Sequence, residues 1–427
     1  MLENEIISFE KEKVIIIGTI RPGFNEYLVN EHLSELELLV ETAGGIVSGK
    51  VVQRISKINS STFIGKGKAN QMINQASELG VKILIFDDEL TPAQIKNYHK
   101  ISDKLKVLDR SGLILDIFKR HAKSKEATTQ VELAYLEYLL PRLTRQWTHL
   151  ERQMGGIGTR AGMGETQIEI DRRLIRTKIT KLKKDLLQIE KERKIQSLRR
   201  SSEFRVSLVG YTNAGKSTLF KALTGADVFI KNQLFATLDT TIRQLSIDSN
   251  HSILLSDTVG FIRKLPHNLV ASFKSTLKEV VESDLILMVL DVSSDYMKDH
   301  IEVIKEVLDS LGAKNIPLIY VLNKVDLITE NDKLNVIARD FDDSVIISAK
   351  RHLMLSKLKE AIIEKMEKDY QTLNIKLSYS EGRAISQIKN TLEVLEEEYD
   401  EDLIRMKIRG SRIALEKASV FDFLNNG

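Results

Sequence analysis

The 427-residue chain contains no cysteine, so disulfides and thiolate metal sites are excluded, a composition suited to the cytosol. Its eight histidines fall at no metal-ligand spacing, which leaves no metal site to expect beyond the magnesium that a bound nucleotide brings. No apolar run reaches the length of a membrane span, and the first residues, Met1 to Glu5, are acidic rather than signal-like. These absences predict a soluble, cytoplasmic protein. The net charge of +3 is nearly neutral and argues against indiscriminate nucleic-acid binding, but it says nothing about local charge. One core cannot fill this length, which predicts about two to four domains.

What the chain does contain is a complete G-x-x-x-x-G-K-[ST] loop: Gly210, Tyr211, Thr212, Asn213, Ala214, Gly215, Lys216 and Ser217, followed by Thr218. A β-rich run precedes it from Phe204 and a helix-forming run follows it to Leu223, the strand–loop–helix context in which such a loop cradles phosphate. Its glycines let backbone N–H groups turn inward, and the helix N-terminus adds its positive end. Lys216 is then expected to meet the β- and γ-phosphates and Ser217 to ligate magnesium. An isolated match of this kind arises by chance often enough to carry little weight; ordered downstream motifs change that.

Those motifs are present. Asp257 closes an apolar strand at 252–255 and would join the magnesium shell, with the Gly260 N–H directed at the γ-phosphate. Between loop and strand lies a hydroxyl-rich segment at 235–241 in which Phe235 would border the nucleotide. Thr237 is the favoured metal-sensing residue there, with Thr240 or Thr241 as fallback. Apolar runs at 285–290 and 316–322 read as buried parallel strands, the second ending at Asn323-Lys324-Val325-Asp326. The Asp326 carboxylate can accept two N–H bonds from guanine, a donor pair that adenine lacks. Lys324 would lie along the base, and Ser348, Ala349 and Lys350 would offer a backbone N–H to its keto oxygen. The expected chemistry is GTP hydrolysis, with Lys216, Thr237 and Gly260 as catalytic residues and Ser217, Thr237 and Asp257 holding the metal. Phe261 stands where a Ras-like switch carries a water-orienting Gln, and a phenyl ring cannot hold a nucleophilic water. Slow turnover with stimulation by a partner is one reading; simple packing of Phe261 in an apolar switch loop is the other, and the two are compatible.

The remaining sequence divides around this domain. Residues 1–120 alternate apolar strands and amphipathic segments, an α/β pattern. There Gly65, Lys66, Gly67 and Lys68 form half a phosphate loop, read as a loop or RNA-backbone contact with a second nucleotide site as the alternative. Residues 121–203 carry two apolar stripes at helical spacing, Leu133 to Leu150 and Ile175 to Ile189, flanking a glycine-rich segment at 155–164. An antiparallel helical hairpin with that segment at its tip is the simplest structure, each arm about 40 Å long at ~1.5 Å per residue, with Pro141 kinking or interrupting the first. Residues 171–200 hold twelve Lys or Arg against four carboxylates, a net +8. Such a run is often only a solvated face; here it leads to a tip loop containing Arg160, and contact with RNA backbone is favoured. Residues 204–368 form the GTPase domain. Residues 369–427 read as a small α+β module: a strand at 373–377, a helix at 384–395, an acidic turn at 396–402 and a strand at 403–408.

These residues resemble the HflX family of translation-associated GTPases. The resemblance runs through 62–67, 150–160, 164–173, 210–217, 234–239 and 257–263, including the Phe after the glycine, and so spans nearly the whole chain. Ala161 and Met163 stand where the family commonly has Gly and Pro, and Thr240 where Pro is usual. The resemblance implies an α/β multidomain GTPase, monomeric, using magnesium and hydrolysing GTP to GDP and phosphate. It also implies a protein that binds the large ribosomal subunit and its RNA through 121–203 and splits stalled ribosomes under stress. A large-subunit assembly factor, or a GTP switch acting on a non-ribosomal protein through the acidic C-terminal module, are the alternatives.

Overall fold

The computed structural model describes residues 12–102, 105–143, 167–199, 203–225, 234–235, 238–248, 251–264, 277–328, 340–368, 370–400 and 402–423. The chain forms two compact units, one of residues 1–191, 231–239 and 259–276, the other of 192–230, 240–258 and 277–427. No helix among the described residues is long and apolar enough to cross a membrane.

The first unit begins as a parallel sheet of order β2-β1-β3-β4, with β1 Lys13–Ile20, β2 Ile46–Arg54, β3 Ile83–Phe86 and β4 Lys106–Asp109. The β-branched run of β1 is buried along seven of its eight residues, as a strand covered on both faces requires. Helices α1 Glu26–Thr42, α2 Lys66–Glu78, α3 Pro92–Ile101 and α4 Arg110–His121 connect or follow these strands. Their starts are encoded locally: Asn25 caps α1, Thr91 and Gln94 form a reciprocal capping box on α3, and Asp109 caps α4. Ile15, Ile17, Leu84 and Phe86 build one core with Met72 and Tyr98.

Helix α5 Lys125–Leu139, capped by Ser124, stops where expected: Leu140–Arg142 is a tight 3-10 turn containing Pro141, whose missing N–H cannot continue the α-helical ladder. Helix α6 Gln167–Arg199 is 33 residues long, and its Ile175 and Leu182 pack with Leu133, Leu136, Leu139 and Leu143. Residues 144–150 of the first expected arm lie outside the described residues, and the ion pairs between α5 and α6 run in one sense. Lys178 pairs with Glu132 and Lys183 with Glu137. Partners therefore advance together along both helices, whereas antiparallel partners move in opposite directions. The expected tip at 155–164, with Arg160, lies outside the described residues.

The second unit is a six-stranded sheet of order β10-β9-β8-β5-β7-β6, parallel except for the β6–β7 pair. Its strands are β5 Phe204–Gly210, β6 Thr241–Ser246, β7 Ser252–Asp257, β8 Leu285–Asp291, β9 Leu318–Asn323 and β10 Ser344–Ile346. Helices α7 Lys216–Thr224, α8 Lys278–Val281, α9 Met297–Leu311 and α10 Leu355–Glu367 belong to it. The parallel register brings the ends of β5, β7, β8 and β9, all carrying site residues, to one edge of the sheet.

A three-stranded antiparallel sheet of order β11-β13-β12 follows, from β11 Gln371–Ser378, β12 Glu393–Tyr399 and β13 Leu403–Gly410, with helices α11 Gly382–Thr391 and α12 Arg412–Lys417. Here the sequence reading needs correction, because α11 ends at Thr391 and most of the supposed acidic turn is strand β12. Its carboxylates are tolerated because β13 opposes them with cations: Glu396 meets Lys407 at 2.6 Å, and Glu398 lies in register with Arg405. That complementarity exists only across strands and is invisible along the chain.

The Asp109 carboxylate, fully buried at the end of β4, gathers the Gly112 N–H (2.8 Å), the Leu90 N–H (3.1 Å), the Tyr138 hydroxyl (2.8 Å) and Arg142 (3.4 Å). Removing it leaves the buried Arg142 guanidinium with only the exposed Glu89 carboxylate, 3.5 Å away. Asp109→Ala is expected to destabilise this unit by about 3–5 kcal/mol. Urea unfolding followed by circular dichroism checks this as a lower midpoint.

Candidate nucleotide site

The loop from β5 into α7 is shaped by backbone conformations that most residues resist. Asn213 has φ 62° and Gly215 φ 98°. A Cβ on Gly215 would fall 2.3 Å from Asn323 Nδ2, and one on Gly210 would fall 2.4 Å from the Val289 carbonyl oxygen. Close approach therefore requires glycine at both positions, and at Gly215 the turn geometry requires it as well.

Asn323 explains that approach. Its Nδ2 donates to the Ala214 carbonyl at 2.9 Å, and its Oδ1 accepts the Ala349 N–H at 3.0 Å. One buried amide thus joins the phosphate-type loop, the end of β9 and the segment at 348–350. Beside it the Ser348 hydroxyl donates to Asp326 Oδ1 at 2.6 Å, and Arg351 approaches Oδ2 at 3.5 Å. The Ser348 hydrogen bond holds the Asp326 carboxyl below the usual carboxylate range, keeping it an acceptor.

Lys216 is almost completely buried and donates to the Gly210 and Tyr211 carbonyls at 3.1 and 2.9 Å. Burial pushes its pKa down to about 8, against the opposing pull of Asp257. The Ser217 hydroxyl donates to Asp257 Oδ2 at 2.7 Å, so two hard oxygen donors meet at the ends of the paired strands β5 and β7. Among the described residues no three His, Asp or Glu side chains cluster as a ready-made metal cage. Thr212 is buried with no hydrogen-bond partner for its hydroxyl, and Tyr211 stacks on His300 of α9 with ring centroids 3.8 Å apart. Thr218 lies in the first turn of α7.

Thr237 lies outside the described residues. Thr241 opens β6 opposite Asp257, with Thr240 just before it. Phe235 belongs to the first unit, its ring edge-on to Phe118 at 4.5 Å and its carbonyl 2.9 Å from His121 Nδ1. Gly260 and Phe261 also belong to that unit, and Phe261 is 1% exposed. Shortly after them Lys264 reaches Asp87 and Asp88 at 2.7 and 2.8 Å. Gly65 caps α2 with φ 91° and no side-chain hydrogen bond. The sequence reading missed His300, Arg351 and Asp291, the last of which binds Lys324 at 2.6 Å. Only Asp291 left a signal, an acid closing an apolar strand.

A parallel sheet whose strand ends carry this loop, an Asn-Lys-x-Asp sequence and a Ser-Ala-Lys segment defines a P-loop GTPase, an enzyme that hydrolyses GTP. Family models described as GTP-binding GTPase N-terminal, GTP-binding GTPase Middle Region and 50S ribosome-binding GTPase match residues 30–119, 121–200 and 205–324. The GTPase HflX of Flavobacterium psychrophilum is 48% identical over 366 residues, 86% of each chain. That of Escherichia coli is 39% identical over 406 residues, 92% of this chain and 94% of the relative. A solved GDP complex of the protein SsGBP is 28% identical, covering 83% of this chain and 98% of that one with a TM-score of 0.47. The chain belongs to the HflX family of GTPases.

The buried Lys216 gives a pH signature. A bound phosphate favours the ammonium and raises its pKa above the free value of about 8, so the complex holds more protons than the free protein above that pH. GDP affinity is expected to weaken as pH rises through about 8. Calorimetric titration at pH 8.5 in buffers of different ionisation enthalpy checks this as proton uptake on binding.

Proposed function

We propose that this GTPase acts in the cytoplasm on the large ribosomal subunit and separates stalled ribosomes into subunits under stress, in four parts: an α/β domain at 1–120, a basic helical arm at 121–203, the GTPase domain at 204–368 and an α+β module at 369–427. The observation that carries the ribosomal part is α6. Arg172, Arg176, Lys181, Lys184 and Lys191 are exposed along it while Ile175 and Leu182 pack against α5, so these cations are presented to an RNA backbone. The matched family description and the relatives' names support the same direction.

In this reading the loop at 210–217 wraps the phosphates, Lys216 leaves its two carbonyl partners for the β- and γ-phosphates, and Asp326 reads guanine. Ser217 and Asp257 would hold magnesium, joined by Thr237, since a small hard cation takes a few hard protein oxygens, with one or two carboxylates among them, and completes its shell with phosphate and water. Bound there, magnesium neutralises charge that develops on the phosphates. Gly260 directs its N–H at the γ-phosphate. Phe261 offers no polar atom to a nucleophilic water, so turnover is slow until the ribosome supplies or orders a catalytic group.

Sucrose-gradient sedimentation with a non-hydrolysable GTP analogue tests the partner. The protein is expected with large subunits, and whole ribosomes are expected to deplete into subunits when GTP is supplied. Sedimentation only with precursor particles supports an assembly role instead, and sedimentation with none overturns the ribosomal reading. Charge reversal at Lys181 and Lys184 should weaken binding and flatten the slope of log affinity against log salt by roughly one unit for each lysine–phosphate interaction abolished.

A further inference from the structure

Strand β8 is apolar and buried through Leu290 and then ends on an acid, Asp291. Asp291 lies in register with Asn323 of β9, and the Val292 N–H donates to the Asn323 carbonyl at 3.1 Å, so the two strand ends are locked together. At that point Lys324 enters the left-handed region, φ 67°, and turns its side chain back across the strand ends. Its ammonium donates to Asp291 Oδ2 at 2.6 Å. The carboxylate is itself oriented, because its Oδ1 accepts the Ser293 N–H at 3.0 Å and the Ser293 hydroxyl at 2.5 Å.

A free lysine carries a flexible four-carbon stem whose rotamer freedom is lost whenever it is held in one line. Here the loss is taken during folding, through a charge-assisted bond at a partly exposed rim where the side chains retain 25% and 20% exposure. A stem fixed at its far end presents a flat apolar edge beside Asp326, two residues further on. We infer that Asp291 is a positioning residue for guanine-nucleotide binding, one that pins the Lys324 ammonium so that the stem forms a preset floor for the base. Asp291 touches no nucleotide atom in this role. The inference rests on the reading of Lys324 and Asp326 as the guanine site.

The test uses the full chain and fluorescent GDP and GTP analogues. Asp291→Asn keeps the shape and the Ser293 acceptor but removes the charge. It is expected to weaken GDP and GTP by the same factor, roughly tenfold, the scale of one charge-assisted hydrogen bond. The loss should appear in KM rather than kcat, with the preference for guanine over xanthine nucleotides retained and Tm unchanged. Lys324→Ala should weaken binding similarly, and the double variant should bind no worse than Lys324→Ala alone, since the two side chains act as one unit. Undiminished GDP affinity in Asp291→Asn, or losses that add in the double variant, overturns the role. Asp326→Asn run alongside tests the underlying reading. If it keeps guanine over xanthine, the site assignment itself fails; if it loses that preference while Asp291→Asn binds normally, only the positioning role fails.

Discussion

The amide of Asn323 must donate and accept at the same time, and the nucleotide edge of the sheet depends on that requirement. Its two hydrogen bonds reach the Ala214 carbonyl and the Ala349 N–H, groups carried by segments more than a hundred residues apart. A carboxylate in the same place could accept but not donate, and an apolar side chain would strand both backbone groups, each at a cost of about 1–3 kcal/mol. The bond to Ala214 also dictates Gly215, since the amide occupies the space a Cβ would need. Phosphate-type loop and base-type loops are therefore one hydrogen-bonded assembly, and the parallel register of β5, β8 and β9 keeps their ends within reach of a single side chain.

Charge in this protein is arranged locally in ways that its net value conceals. Lys216 is a buried cation whose hydrogen-bond acceptors are two carbonyls, which cannot neutralise it, and burial lowers its pKa accordingly. Such a site is under-compensated and gains when an anion enters. Asp326 is the converse, a carboxylate kept ionised by a serine hydroxyl and approached by an exposed arginine. The loop at 210–217 thus favours negative charge, while Asp326 offers an acceptor for N–H groups. Polarity of that kind orients a nucleotide without large conformational cost.

The GTPase core was largely legible because its chemistry is contiguous in sequence: eight loop residues, four at 323–326 and the acid ending β7 each sit on or beside one strand end, and apolar runs announce those strands. What was not legible depends on partners distant along the chain. The β12 acids read as a turn because alternation along a strand means little when both faces are half-exposed and the neutralising cations sit on β13. The register of α5 against α6 is set by Glu132 with Lys178 and Glu137 with Lys183, and apolar stripes of this spacing fit either sense. Asp291 was overlooked for a related reason. It ends an apolar run, and its cationic partner, Lys324, stands just past the end of the neighbouring strand with a positive φ.

Phe261 shows the same dependence of chemistry on packing. Its side chain is 1% exposed, so it is packed as a core residue although it follows directly on Asp257, Thr258, Val259 and Gly260. Burial of an aromatic ring stabilises by on the order of 2–3 kcal/mol and contributes no hydrogen-bonding atom. A glutamine in that position would have to bury an amide or leave the core, and a phenyl ring does neither. The same residue therefore favours a well-packed segment and withholds the polar group that a water-orienting switch requires. Under the proposed function, such a trade would separate holding GTP from hydrolysing it, as an enzyme whose turnover is timed by what it binds requires.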